Sequence, residues 1–363
     1  MPNLFTPYQL KDVTLRNRIV VSPMCQYVAD DGLINDWHRS HLAGLARGGA
    51  GLVIAEATAV SPEGRITPGC TGIWSDAQAD AWKDAVRLIK DGGAVPGIQI
   101  AHAGRKASAN RPWEGDDHMA DDDPRGWDTI APSAVPHGAN LPKVPRAMTI
   151  ADIKRVQADF VAAARRARDA GFEWLELHLA HGYLGQSFFS TWSNKRDDEY
   201  GGDFDGRARF LLETIAAVRE VWPDNLPLTA RFGVTEFDGS DDLDDGIRMV
   251  GLMKDAGLDL IDVSIGFTTP TAEIPWGPAL LAPAAERVRR EVEIPTTTSW
   301  FISEPQQADA LIADGKADLV TLGRPLLANP HWPYRAAKEL GVDKPAFATL
   351  PAPYAHWLER YRS

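Results

Sequence analysis

Short apolar runs alternate with longer amphipathic segments from one end of the chain to the other. Eight such runs are predicted strands, at residues 19–24, 51–56, 95–101, 173–178, 228–233, 258–263, 295–299 and 317–322. They are short and mainly apolar, which is typical of parallel strands that are covered on both faces. The alternation therefore predicts an α/β protein in which a helix follows each strand.

Five of the intervening segments space their apolar residues as a helix does, at 77–90, 149–170, 207–221, 244–256 and 305–313. Thr149 with Asp152 is typical of a helix start, and a glycine in the left-handed conformation commonly ends a helix. Four glycines between a predicted helix and the next strand are expected to do so: Gly92, Gly171, Gly257 and Gly315.

Eight strand–helix units in a row predict a (β/α)8 TIM barrel, taken as a single domain over residues 1–363. A doubly wound sheet is the alternative, and it usually carries G-x-G-x-x-G after its first strand. Here Cys25-Gln26-Tyr27 follows the first run instead. An Asp- and Pro-rich insertion at 104–148 is expected to cap the barrel mouth or to be a plain solvated loop, and residues 345–363 form a C-terminal tail.

The chain has 363 residues and a formal charge of −12, from 38 basic and 50 acidic side chains. This acidity argues against a nucleic acid or an anionic membrane as a partner, because both attract basic surfaces. The sequence has neither a membrane-spanning apolar stretch nor the pattern of a secretory signal. Two cysteines, Cys25 and Cys70, are too few for a disulfide framework or a cysteine-based zinc site. We therefore expect a cytoplasmic protein.

Polar and aromatic side chains collect where the predicted strands end, which is the face on which such barrels carry their sites. In chain order they are Pro23, Met24, Cys25 and Tyr27; Glu56, Ala57 and Thr58; Gln99, His102 and Arg105; His178, His181 and Tyr183; Arg231; Ser299 and Trp300; and Gly323 and Arg324. Chemically active groups on a rigid scaffold predict a binding or catalytic site at this face.

The spacing of His178 and His181, followed by Tyr183, leaves three interpretations open. The two imidazoles could ligate a metal, as in a metal-dependent hydrolase, but such a site needs a third ligand and His102 is the only obvious helper. They could instead donate hydrogen bonds to a carbonyl or nitro oxygen, with Tyr183 as the proton donor, since a tyrosine is protonated at neutral pH. They could also be structural histidines.

Other residues at the strand ends each have two interpretations. Gly323-Arg324-Pro325 opens a predicted helix where barrels often bind phosphate, although an ordinary tight turn fits it too. Arg231 ends a buried run and must be paired, either with a structural carboxylate or with an anionic part of a cofactor. Gln99 either bonds within the core or recognises a ring edge. Cys25 either packs or lies beside a redox-active ring, and Cys70 is expected to be structural.

Three consecutive motifs carry a resemblance to a known family. They are H-x-x-H-G-Y-L-x-Q-S-F-F-S from His178, S-N-K-R-D-D-E-Y-G-G from Ser193, and G-R-A-R-F from Gly206. This series resembles the old yellow enzyme family of FMN-dependent ene-reductases over essentially the whole chain. The segment 23–27, the G-R-I-T after Glu63 and the ending 351–357 are similar to its subgroup of xenobiotic reductases and thermophilic-type ene-reductases.

The resemblance implies FMN held tightly but noncovalently at the barrel mouth, with NADPH or NADH as the reductant. It implies cofactor contacts from Ser22, Pro23, Met24 and Cys25 along the flavin, Ala57 and Gln99 at the ring edge, Arg231 on the N1–O2 side, and Trp300, Gly323 and Arg324 around the ribityl phosphate. Phe301 and Ser303 stand where the family is expected to have glycines, which leaves the phosphate donors open.

For the substrate, the resemblance implies an α,β-unsaturated carbonyl or nitro compound whose C=C bond is reduced. His178 and His181 would bind the carbonyl oxygen and Tyr183 would deliver the proton, while Cys25 lies near the redox-active ring. Tyr27 and Trp300 would contact the substrate. Trp357 would complete the pocket of a neighbouring subunit, so a homodimer or homotetramer is expected. No metal is implied, and a noncatalytic flavin- or phosphate-binding protein is a further alternative.

Overall fold

Eight parallel strands close into a barrel in the computed structural model, which describes residues 1–237, 239 and 243–361. The barrel strands are β1 (Ile19–Val21), β2 (Leu52–Ala59), β3 (Val95–Ala101), β4 (Trp174–Leu179), β5 (Leu228–Thr235), β6 (Leu260–Ile265), β7 (Thr296–Thr298) and β8 (Leu319–Leu322). Each strand pairs in parallel with its neighbours in the chain, and β8 closes the barrel on β1. The prediction of a (β/α)8 barrel is confirmed.

Helices cover the outside of the barrel. They are α1 (Asp36–Arg47), α2 (Asp76–Asp91), α3 (Ile150–Ala170), α4 (Leu184–Phe189), α5 (Phe204–Arg219), α6 (Leu243–Asp255), α7 (Ala282–Val292), α8 (Pro305–Ala313), α9 (Arg324–Ala328), α10 (Trp332–Glu339), α11 (Pro345–Thr349) and α12 (Ala352–Leu358). All five predicted helices are present, with ends shifted by a few residues at most. In the described part of the chain, no helix has both the length and the hydropathy needed to cross a membrane.

Glycines end several of these helices in the left-handed conformation. Gly171, Gly257 and Gly315 have φ angles of 95°, 116° and 71°, as predicted. The prediction for Gly92 is wrong, because this residue keeps a helical φ of −75°. The left-handed residue is Gly93, at φ 82°. Helix α2 therefore continues one residue further than the pattern indicates before the chain turns.

The amino-terminal end of the barrel is sealed by a short antiparallel hairpin, Tyr8–Leu10 paired with Val13–Leu15. Val13 and Leu15 pack against a separate apolar cluster of inward-facing strand residues, which includes Val20 and Trp174. Because this end is filled by side chains, the opposite, carboxyl ends of the strands are the face where a ligand can enter.

The insertion at 104–148 has little regular structure: two 3-10 turns and a two-residue bridge between Ile130–Ala131 and Arg146–Ala147. Buried Arg105 fastens it to the barrel, because its guanidinium donates to the carbonyl oxygens of Val135, Pro136 and Thr268. Thr268 follows β6, so this part of the insertion lies beside the carboxyl ends of the strands.

The C-terminal tail folds back on α10. The Tyr334 hydroxyl on α10 donates to the Leu358 carbonyl oxygen at 3.2 Å, and Ala346, Leu350 and Ala355 form a small buried cluster with these residues. Trp357 lies on α12 and is 70% exposed. The last two residues of the predicted tail, 362 and 363, lie outside the described part of the chain.

Candidate active site

Arg231 lies at the centre of the barrel mouth. It projects from β5, in register with His178 on β4 and Asp262 on β6. Its Nε atom is 3.4 Å from an Asp262 carboxylate oxygen, and Asp262 is fully buried. The guanidinium also donates to three hydroxyls at the ends of other strands, those of Ser22, Ser264 and Ser299. Asp262 is thus a structural carboxylate beside Arg231, one of the two kinds of partner predicted for it.

A second buried carboxylate lies in the same layer of the barrel. Glu176 on β4 accepts a hydrogen bond from Gln99 Nε2 on β3 at 2.8 Å, and both residues are 1% exposed. Burial, with a contribution from nearby Asp262, raises the pKa of Glu176 to about 8, and burial raises the pKa of Asp262 to about 6. Gln99 therefore has a core hydrogen bond, one of its two predicted interpretations.

Sequence reasoning missed Glu176 and Asp262 as part of the site. The signal was present, because each is an acidic residue inside an otherwise apolar strand. A lone acid in a buried strand must find a cation, a donor or a proton. In this buried layer Asp262 has the arginine cation, and Glu176 has the Gln99 donor.

His178, His181 and Tyr183 form a compact group after β4. The ring centroid of His178 lies 4.9 Å from that of His181 and 4.9 Å from that of Tyr183. His178 Nδ1 accepts from the Ala180 backbone N–H at 3.3 Å, and His181 Nε2 lies 2.8 Å from the Ser264 hydroxyl. The ring nitrogens left for a ligand are Nε2 of His178 and Nδ1 of His181.

Burial keeps these three side chains uncharged. It lowers the pKa of both imidazoles well below their usual range, and the Arg231 cation adds to the effect. Burial also raises the pKa of Tyr183 above its ordinary value, so the phenol keeps its proton. The group thus offers neutral imidazoles and a protonated hydroxyl.

His102 does not join this pair. Its Nδ1 accepts from the Gly104 backbone N–H at 3.0 Å, and its pKa is lowered to about 4 by burial. Among the described residues, no group of three or more His, Cys, Asp or Glu side chains is arranged to hold a metal ion. The geometry gives the three-histidine alternative no support.

Cys25 and Tyr27 lie in the segment that follows β1 at the barrel mouth. The Tyr27 hydroxyl lies close to the Cys25 thiol, and burial together with nearby Glu56 raises the pKa of that thiol. Tyr27 has a left-handed φ of 54°, and its carbonyl oxygen accepts from Arg111 Nε at 2.8 Å. Glu56 accepts from the Gln26 backbone N–H at 2.9 Å, which ties this segment to the end of β2.

A cavity of about 760 Å³ opens between the ends of β1, β7 and β8. Its lining includes these predicted site residues: Ser22, Met24, Arg231, Trp300, Gly323 and Arg324. Phe301 and Ser303 line it as well. Trp300 and Phe301 are consecutive left-handed residues, at φ 72° and 54°, so the chain turns sharply at the end of β7. Ala57 and Cys70 instead line a small void beside Tyr183.

Aromatic rings form the side of the mouth beside His181. The ring centroid of Phe267 lies 5.7 Å from that of His181, and the ring centroid of Trp300 lies 6.4 Å from it. Trp276 stacks on Phe267 and lies tilted against Trp300, with a ring centroid 5.3 Å from that of Trp300. Sequence reasoning named Trp300 but neither Phe267 nor Trp276, since both lie in a loop without a strong pattern.

Lys106 is a further residue that sequence reasoning missed, although neighbouring Arg105 was named. Its Nζ donates to the carbonyl oxygens of His181 at 2.8 Å and Phe267 at 3.0 Å. The ammonium lies 5.9 Å from the Tyr183 ring centroid. Burial and the Arg105 cation lower the pKa of Lys106 to about 7. Lys106 thus tethers the His181 loop to the insertion.

Comparison with known proteins relates this geometry to a family. The family model described as "NADH:flavin oxidoreductase / NADH oxidase family" matches residues 3–343. The old yellow enzyme homologue from Zymomonas mobilis aligns with a TM-score of 0.76 at 27% identity, over 98% of this chain and 99% of that one. The chain belongs to the old yellow enzyme family.

Other relatives agree with the old yellow enzyme assignment. An NADPH dehydrogenase of Geobacillus thermodenitrificans (strain NG80-2) is 46% identical over 343 residues, which are 93% of this chain and 95% of the relative. A morphinone reductase structure has a TM-score of 0.77 at 29% identity, over 94% of this chain and 90% of that one. The protein is therefore an FMN-dependent NAD(P)H oxidoreductase with ene-reductase activity in the general sense of its family.

Proposed function

We propose that this oxidoreductase reduces the activated C=C bond of α,β-unsaturated carbonyl or nitro compounds, with Tyr183 as the proton donor. The observation that carries the proposal is the His178–His181–Tyr183 group, with ring centroids 4.9 Å apart around His178. Two neutral imidazoles and a protonated phenol suit a substrate whose oxygen gains negative charge while its α-carbon gains a proton.

The cavity between β1, β7 and β8 fits FMN. Trp300 Nε1 is buried without a hydrogen-bond partner among the described residues, so it needs an acceptor such as a ribityl or phosphate oxygen. We propose that Ser22, Pro23, Met24 and Cys25 lie along the flavin, Ala57 and Gln99 at its ring edge, Arg231 at its N1–O2 side, and Trp300, Gly323 and Arg324 at the ribityl phosphate.

The hydride that the alkene takes up would be supplied by bound FMN, with NADPH or NADH as the reductant. The side chains of this chain bind, orient and protonate. Nε2 of His178 and Nδ1 of His181 are the nitrogens that face the substrate oxygen, and one such positioned donor is typically worth about 3 kcal/mol of transition-state stabilisation. The protonated Tyr183 hydroxyl delivers the proton, and Tyr27 and Trp300 form the walls against which the substrate packs.

Replacing Tyr183 by phenylalanine tests the proposal, because it removes one hydroxyl from a ring of the same shape. The half-reaction in which an enone reoxidises the enzyme should slow by roughly 10²–10⁴, the usual contribution of a positioned acid. The half-reaction in which NADPH bleaches the yellow enzyme should be nearly unchanged. Stopped-flow absorbance measures the two separately.

Tyr200→Phe is the matched control, since Tyr200 is buried and its hydroxyl donates to Glu213 at 2.7 Å, away from the site. It should leave both half-reactions intact. An equal loss in both half-reactions for Tyr183→Phe would show that Tyr183 is not the specific proton donor.

We also propose that the insertion at 104–148 caps the mouth and that the protein is a homodimer or homotetramer. The contacts of Arg105 and Lys106 with loops at the strand ends support the first proposal. The exposed Trp357 on α12 supports the second, since it is far more accessible than a tryptophan usually is. A cytoplasmic location is consistent with the free thiols of Cys25 and Cys70.

A further inference from the structure

A second, smaller cavity of about 320 Å³ opens beside the oxygen-binding group. His181 and Tyr183 line it on one side, and Phe267, Pro270 and Ile274 give it an apolar wall. Because it shares these two side chains with the proposed catalytic group, a substituent of a substrate whose oxygen is bound there can extend into this cavity.

The polar part of this wall carries positive charge. Lys106 lines the cavity, and two of the three N–H bonds of its ammonium go to backbone carbonyl oxygens, which leaves one free to donate. No carboxylate in the described part of the chain forms an ion pair with Lys106, and none lines the cavity. His137 Nδ1 is buried in the same wall without a hydrogen-bond partner among the described residues. The third N–H of Lys106 and Nδ1 of His137 therefore remain available to a ligand in this cavity.

The charges around Lys106 define what it can bind. Arg105 lowers its pKa, while Glu236 and Asp116 raise it less than burial lowers it. Glu236 is itself held by Gln186 and Thr268. Burial, together with Lys106 and Arg105, lowers the pKa of His137 and keeps its imidazole neutral. The imidazoles of His178 and His181 are neutral as well. Lys106 is thus the one group lining this cavity that becomes a cation near neutral pH.

We infer that this cavity is a subsite for a carboxylate on the substrate, so that the enzyme prefers unsaturated carbonyl compounds that carry an anionic group. The inference rests on the proposed function, since the oxygen group of His178 and His181 sets where the substituent points. The carboxylate accepts a hydrogen bond from Lys106 Nζ, and the apolar wall packs against the carbon chain that bears it. A neutral substituent that cannot accept a hydrogen bond leaves the third N–H of this buried ammonium without an acceptor, which is costly.

Binding of a carboxylate is linked to the protonation of Lys106. An anion beside the ammonium favours its charged form, so the complex holds a proton that the free enzyme loses above pH 7. The affinity for an anionic ligand should therefore fall as pH rises through 7, whereas the affinity for a neutral ligand should not.

Two phenols of matched shape test the inference on the holoenzyme, by titration of the visible absorbance of the bound flavin. One is 3-hydroxybenzoate and the other is its uncharged analogue 3-hydroxybenzamide. At pH 6 the benzoate should bind about tenfold more tightly, the effect of one charge-assisted hydrogen bond, and this preference should shrink between pH 6 and 8.5.

Variants of Lys106 separate its charge from its structural tether. Lys106→Met should bring the two affinities together at every pH, while Lys106→Arg should keep the preference across the whole range, since arginine stays charged. Lys143→Met removes a lysine of the same insertion that pairs with Asp121 at 3.7 Å and does not line this cavity. It should leave the preference unchanged.

The outcomes distinguish the two proposals. If both phenols bind the native enzyme with equal affinity, the subsite is wrong and the ene-reductase proposal stands. If neither phenol binds, the oxygen-binding role of His178 and His181 fails first. If Lys106→Met slows flavin reduction by NADPH but not by NADH, the anion that Lys106 meets is a nucleotide phosphate, and the carboxylate subsite is overturned.

Discussion

Glu176 and Asp262 are carboxylates in one buried layer of the barrel, from which water is excluded. Asp262 is paired with Arg231 at 3.4 Å, whereas the described partner of Glu176 is the neutral amide of Gln99. A carboxylate without a cation in a buried site takes up a proton instead. Glu176 is the residue of this layer that stays protonated near neutral pH, in agreement with its pKa of about 8.

Glu176→Gln should change how the stability of the fold depends on pH. The folded-state pKa of Glu176 is raised above the value near 4.3 of an unfolded glutamate, so its contribution to stability is present below pH 4 and is lost as pH rises toward 8. Glutamine has no such loss. The free energy of unfolding of the variant, relative to the native protein, should therefore rise between pH 5 and pH 8, by at most about 1.4 kcal/mol per pH unit.

Urea denaturation at several pH values measures this difference. Glu220→Gln, at an exposed glutamate after α5, reports the effect of the same substitution outside the core. A difference between native and Glu176→Gln protein that stays constant from pH 5 to pH 8 would mean that Glu176 is already ionised in the folded state.

The sequence predicts individual residues at the strand ends as site candidates, but it does not predict which residues they contact. Arg231 had to be paired because it lies in a buried apolar run, yet nothing local indicates Asp262 on the next strand. Gln99 and Glu176 lie 77 residues apart in the chain and meet through the register of β3 with β4. Such pairs depend on strand register, which is a property of the assembled sheet.

At the scale of elements, the strands and helices were predictable because their signals are local. The β1 strand is shorter than its apolar run, ending at Val21, because residues 22–24 leave the sheet at the rim of the larger cavity. Helix α1 was missed because its capping box uses Asn35 and His38 rather than the usual Ser or Thr with Glu.

Two glycine-to-alanine changes should shift stability in opposite directions. Gly171 ends α3 at φ 95°, where an alanine has room beside Val86 but adopts the left-handed conformation at a cost of about 1 kcal/mol. Gly44 lies inside α1 with open space around its Cα, so alanine should stabilise the helix by about 0.8 kcal/mol. Urea denaturation of both variants checks the signs, and a stabilising Gly171→Ala would contradict the left-handed cap.

At the scale of the whole molecule, the exposed aromatic residues of the tail support the proposed interface between subunits. Trp357 is 70% exposed, and Tyr354 and Phe347 nearby in the chain are 43% and 53% exposed. Exposed aromatic groups of this kind are typical of protein–protein contacts. Truncating one such tryptophan often costs about 2 kcal/mol or more of binding free energy, which defines an interface hot spot.

Trp357→Ala should weaken self-association without changing the free energy of unfolding of the separated subunit. Sedimentation velocity over a range of concentrations should show the native protein as a dimer or larger and the variant shifted toward monomer. Trp192→Ala, at a tryptophan that is 47% exposed outside the tail, is the control. A native protein that is monomeric at every concentration would refute the proposed oligomer.

The order of strands and helices, the barrel class and the face that carries the site follow from the sequence by itself, because apolar periodicity and helix caps are local. The family motifs after His178 also lie within one continuous segment. Only the tertiary structure decided that Asp262 pairs with Arg231, that Glu176 bonds to Gln99, and that Lys106 holds the His181 loop beside a second cavity. These contacts join distant segments, and closure of the barrel brings them within hydrogen-bond distance while removing the water that would otherwise solvate them.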